Sequence, residues 1–199
     1  MASCLVGCSS QGDDGKTEIV CTVFPIYDWI KNIIGEENDD VTLTLLVKNG
    51  TDPHSYTPSP SDIAKISSCD ILVYVGGESD AWVGDVLEGK KNDKMRAVKL
   101  LEILGDRAFI KSDDDHQHEH DHAENPYEEH VWLSLKNASV LCDEICKALC
   151  EELEDRSEKY QSNANTYINE IKSLDESYAS VVASAKRDVL LFADRFPFG

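Results

Sequence analysis

The 199-residue chain holds six histidines, and five of them fall in "DDDHQHEHDHAENPYEEHVW", residues 113 to 132. Imidazole and carboxylate are good borderline ligands for Zn²⁺. His116, His118, His120 and His122 alternate with Gln117, Glu119 and Asp121 behind Asp113, Asp114 and Asp115, a tract able to gather metal weakly and in several geometries. With no apolar side chain to bury, it reads as a disordered segment or a surface loop, and a merely solvated acidic loop is the bland alternative. His130 differs, because Val131, Trp132 and Leu133 follow it and packing fixes its position. The sixth, His54, sits behind Pro53 and ahead of Tyr56, Pro58 and Pro60. Two histidines pre-positioned on separate loops make half of a tetrahedral zinc site.

Composition narrows the classes of function. With 38 Asp plus Glu against 19 Lys plus Arg the formal charge is -19, which repels nucleic acid and anionic headgroups and favours cations. The length and a hydrophobic content of 41% allow a substantial core. No run of 18 apolar residues exists to span a membrane. Of seven cysteines, Cys4 and Cys8 lie in the leader; the other five are odd in number and contain no CxxC. Cys142, Cys146 and Cys150 share one helical face with Ile145 and Leu149 nearby, which suits a buried stripe better than a thiolate metal site.

The elements that must position the histidines read as strands alternating with helices. Strands are expected at 18–24, 41–47 and 71–76, and within "KMRAVKLLE". Helices are expected from Pro25 to Gly35, after a Ser59 cap with Pro60 in its first turn, and from Ser79 to Leu87. Two long helical patterns follow, Leu135 to Glu152 and Glu154 to about Lys186, the second with a sparse stripe through Tyr160, Ala164, Tyr167, Ile171, Leu174, Tyr178 and Val182. The alternation predicts an α/β fold, a parallel sheet flanked by helices. Ligands in such sheets bind beyond the strands' carboxyl ends, where the His54 loop lies.

Near the start, Leu5-Val6-Gly7-Cys8 resembles a bacterial lipoprotein cleavage box, whose cysteine carries the lipid. "DPHSYTPSPSDIAKISSCDILVYVGGESDAW" and "EEHVWLSLKNA", with the "FPIYDWIKNIIG" opening and "KYQSNANTYINEIKSLD", resemble the zinc- or manganese-specific solute-binding proteins of ABC transporters, the ZnuA-like and TroA-like group. The resemblance runs from Thr17 to Phe198. It implies two lobes joined by a long helix with the metal between them, His54 and His130 as ligands, and a histidine-rich loop that marks zinc members. The implied organisation is a leader over 1–16, a metal-binding lobe over 17–152 with its accessory loop at 112–126, a linker helix over 153–187 and the start of a truncated second lobe at 188–199. The group's third-motif histidine is missing from "FADRFPFG", where Asp194 stands as the substitute oxygen ligand; Arg195 is a permanent cation and cannot serve. Glu78, in "GGESDAW", is a further donor that could approach a metal from the first lobe.

The function implied is capture of Zn²⁺ outside the bacterial cell by a monomer, anchored to the cell membrane by lipid on Cys8, and delivery to the membrane subunits of an ABC permease. Mn²⁺ is the alternative cargo: the histidine tract favours zinc, and an aspartate at the third position pulls towards manganese. A metal-dependent adhesin shares the fold. A zinc hydrolase with Glu129 as general base beside His54 and His130 is the reading from another class, but no HExxH pattern accompanies it.

Overall fold

The computed structural model describes residues 15–36, 38–48, 50–108, 128–187 and 189. Cys8, the tract from His116 to His122, and Asp194 with its expected strand lie outside them.

Four parallel strands form one sheet: β1 (Thr17–Cys21), β2 (Val41–Leu45), β3 (Ile71–Tyr74) and β4 (Arg96–Lys99). Their spatial order is β2-β1-β3-β4. Ile19 pairs with Leu43 on one side and Ile71 on the other, and Leu72 with Ala97. The chain steps outward from β1 to β2, then returns to β3 on β1's other flank. That reversal opens a crevice beyond the carboxyl ends of β1 and β3, where α/β sheets bind ligands.

Both faces of the central strands are buried, as parallel sheets require. Ile19, Cys21, Ile71 and Val73 point into the larger core, with α1 (Phe24–Ile34), α4 (Leu100–Leu104), α5 (Leu135–Glu152) and α6 (Ser157–Ala183). Val20 and Leu72 point into a smaller core with α2 (Pro60–Ser68) and α3 (Val83–Glu88). The alternation follows from the two-residue period of a strand. Ser59 and Asp62 form a reciprocal capping box that starts α2.

Several boundaries differ from those expected of the sequence. β1 stops at Cys21, although the Thr22 amide still reaches the Val73 carbonyl, because Pro25 sits in the first turn of a helix that already begins at Phe24. The helix expected over 79–87 divides into a 3₁₀ turn, Glu78–Asp80, and α3. Asp80 imposes the division. Its buried carboxylate accepts from the Val75 amide at 2.7 Å, the Gly76 amide at 3.2 Å and the Thr22 hydroxyl at 3.4 Å. Burial raises this carboxyl above the usual range even though the three donors oppose the shift. Gly76 turns the chain at φ +94°, a conformation that favours glycine.

The long final helix begins at Ser157 after a 3₁₀ turn, Glu154–Arg156. Its first half is seated by buried Tyr160, Ala164, Ile168 and Ile171. The Tyr167 hydroxyl donates to Asp28 at 2.8 Å, and the Asn163 amide to the Ile33 carbonyl at 3.0 Å. The expected stripe does not continue as a buried face: Leu174, Tyr178 and Val182 are exposed, Val182 by 72%. Cys142 and Cys146 are buried as expected, while Cys150 is only half-buried.

Two stability measurements check this account. Ile171→Ala is expected to lower the unfolding free energy by roughly 2–4 kcal/mol and Val182→Ala by less than about 0.5 kcal/mol, because only the first leaves a cavity. Asp80→Ala is expected to lower it by roughly 3 kcal/mol, since it strands two amides and a hydroxyl without an acceptor. Urea denaturation gives both values, and equal losses in the two α6 variants contradict the seating of the helix described above.

Candidate metal centre

Four chain segments, those after β1, β2 and β3 and the one before α5, enclose a cavity of about 310 Å³. Its apolar wall is Val23, Val47 and Val75, the residues that follow β1, β2 and β3. Its polar wall carries His54, Ser79, Asp80, Glu129 and His130.

Each histidine is placed by its own backbone. His54 occupies the 3₁₀ turn Pro53–Ser55, where Asp52 caps the turn by accepting the His54 amide at 3.0 Å. His130 begins the turn Val131–Leu133; Val131 is buried, and the Trp132 ring meets the imidazole edge-on at 5.4 Å. Glu128 accepts the His130 amide at 2.8 Å, and its own amide donates to the Ala108 carbonyl at 2.9 Å.

The ring nitrogens that face away from the cavity are both engaged. Glu128 takes the Nδ1 hydrogen of His130 directly. On the other side, His54 Nδ1 lies 2.8 Å from Ser79 Oγ, which lies 2.6 Å from Glu129 Oε2. A carboxylate only accepts, so the Ser79 hydroxyl donates to Glu129 and therefore accepts from His54. Glu129 is held in turn by the amides of Glu78 and Ser79. Gly77 permits this approach, because a Cβ there would stand 2.4 Å from the Glu129 carboxyl carbon.

In the neutral form both imidazoles thus carry their hydrogen on Nδ1 and a lone pair on Nε2, the tautomer dictated by their partners. The two Nε2 atoms stand 3.3 Å apart, with the rings tilted by 57°. Two lone pairs cannot hydrogen-bond to one another, so the arrangement calls for a positive centre between them. Zinc–nitrogen bonds of 2.0–2.1 Å at a tetrahedral angle place the two nitrogens about 3.3–3.4 Å apart. The pair therefore fits a tetrahedral ion without moving.

The sequence places His54 and His130 on separate loops, and the structure brings them together across 76 residues. It does not bring Glu78 into the cavity lining; that residue contributes its amide to Glu129. Glu129, the general base of the hydrolase alternative, has its oxygens occupied by Ser79 and by the two amides. Ser79 and Glu128 do not stand out from sequence, although "GGES" after a strand and "EEH" before a packed aromatic carry the signal. Among the described residues no group of three His, Cys, Asp or Glu side chains is arranged to hold a metal, so the centre here is a two-nitrogen pair.

The zinc-binding lipoprotein AdcA of Streptococcus pneumoniae is 35% identical over 188 residues, 92% of this chain but 36% of AdcA. The high-affinity zinc uptake system protein ZnuA of Bacillus subtilis is 29% identical over 184 residues, 89% of this chain and 54% of ZnuA. The chain thus spans between about a third and a half of the length of these relatives. The crystal structure of the Zn(II)-bound ZnuA-like domain of Streptococcus pneumoniae AdcA superposes with a TM-score of 0.69 at 31% identity, covering 86% of this chain and 58% of that domain. The family described as ZnuA, zinc-uptake complex component A periplasmic, matches residues 19–198, and the chain belongs to it.

Proposed function

We propose that the chain captures Zn²⁺ outside the cytoplasm as the solute-binding component of an ABC transporter and passes it to the membrane permease. The observation that carries this reading is the pair of Nε2 lone pairs, pre-aimed at one point 3.3 Å apart by Glu128 and by the Ser79–Glu129 relay. The names of the relatives, zinc-binding lipoprotein and high-affinity zinc uptake protein, support zinc as cargo. Imidazole nitrogens also suit zinc better than manganese, which prefers oxygen donors. The metal is cargo, so an exposed His54 at the cavity mouth serves release as well as capture. In the same reading Asp194 supplies an oxygen ligand, His116, His118, His120 and His122 form an accessory zinc-collecting loop, and Cys8 carries the lipid that holds a monomer at the membrane. A hydrolase reading lacks its base, given the partners of Glu129.

Zinc affinity measured by competition with a chelator tests the site. His54→Ala and His130→Ala should each weaken binding by about 100-fold or more, because each removes a direct ligand. Ser79→Ala and Glu129→Gln should weaken it by roughly 10- to 100-fold with the fold intact, the range for groups that orient a ligand. Asp194→Ala should weaken it by about tenfold or more if the carboxylate binds the ion. Unchanged affinity in either histidine variant would falsify the proposal. Calorimetry on a chain lacking residues 113–122 should find fewer zinc ions bound at high zinc, with the tightest site unchanged, since a tract that must order itself around metal bears an entropic cost that a packed pair avoids.

A further inference from the structure

We propose that Cys146 and Cys150 form a second cation site, a dithiol for a thiophilic divalent ion such as Cd²⁺ or Zn²⁺, set between α5 and α6 and independent of the histidine pair. Their sulfurs lie 3.8 Å apart on one face of α5. Two thiolates bound at about 2.3 Å to a tetrahedral ion stand about 3.7–3.8 Å apart, so the side chains already hold the spacing that a shared ion needs.

A disulfide is the competing use for two neighbouring thiols, and the helix opposes it. Residues four apart on a helix keep their Cβ atoms about 5–6 Å apart. A disulfide draws them to about 3.5–4.5 Å. Closing the bond would unwind a turn of α5 that Leu149 and Ile145 bury in the larger core. The pair is therefore held as a dithiol at a separation that bonding to a metal satisfies and bonding to each other does not.

The surroundings suit an ion as well. A hollow of about 240 Å³ opens on both thiols and is lined also by Asp143, Lys147, Gln161 and Asn165. It shares no lining residue with the histidine cavity. The Gln161 amide lies 4.0 Å from Cys150 Sγ, near enough to turn its oxygen towards a bound ion. The Lys147 ammonium at this hollow is paired with Asp143 at 2.8 Å and with Glu144 at 2.7 Å, which offset its charge. Among the described residues no third sulfur, histidine or carboxylate completes a ligand trio there, so the site offers the two thiols with the Gln161 amide beside them. Binding exchanges two S–H bonds for two metal–sulfur bonds and releases two protons to solvent, with no change of oxidation state.

The test uses the 199-residue chain with Cys4→Ser and Cys8→Ser as background, titrated with Cd²⁺ while ultraviolet thiolate-to-cadmium charge transfer is recorded. Histidine sites give no such band. The band should saturate at one thiolate-bound cadmium per chain, whatever further cadmium the histidines take up. The band should be lost in Cys146→Ser and in Cys150→Ser, and retained in Cys142→Ser. Melting curves identify variants that fold, and Gln161→Ala, an exposed change, should weaken binding several-fold without touching the thiols. No band in the background chain, a band that survives both single serine variants, or a native chain in which these two thiols are already oxidised to one another would overturn the proposal.

Discussion

His54 and His130 turn their Nε2 atoms towards one another 3.3 Å apart, and the local structure around the cavity is organised to hold them there. The restraint comes from behind the rings. Two consecutive residues supply it, Glu128 by fixing His130 and Glu129 by reaching across to fix His54 through Ser79. Were either Nδ1 free, its ring could flip or take the other tautomer, and the aim at a common point would be lost. Preorganisation of this kind moves the ordering cost of binding into folding, where the cores on both sides of the sheet supply it.

The sheet makes that arrangement possible. Reversal of strand order at β1 brings the loops after β2 and β3 to the same edge, so two residues 25 positions apart, His54 and Ser79, meet. Asp80 then fastens the β3 loop to the end of β1 through Thr22, so that the Ser79 hydroxyl has one position rather than several. A formal charge of -19 surrounds the site with a field that draws in cations of every kind. Selection among them falls to geometry and to donor chemistry.

Much of the architecture is legible in the residues. Strands with β-branched cores, the Ser59 cap and Gly35 as a helix stop are local signals, and local signals survive folding. His54 and His130 are legible because prolines and a buried valine–tryptophan pair restrict them. Ser79 and Glu128 are not, since a serine after two glycines and a glutamate among acids look solvated until tertiary contacts give them partners. The helix expected from Ser79 fails for a related reason: no periodicity reveals that Asp80 will turn inward to bind three donors. The stripe on α6 shows the reverse error, in which a helical period reads as burial although only the first half of that face meets α1 and α5.

The hydrogen bond from the Glu128 amide to the Ala108 carbonyl has its own consequence. It closes the chain between Ala108 and Glu128, beside His130. Doubling or halving such a segment changes the free energy of closing it by only about 0.6 kcal/mol. The number of residues between Ala108 and Glu128 can thus change at little cost to the closure that stands beside His130.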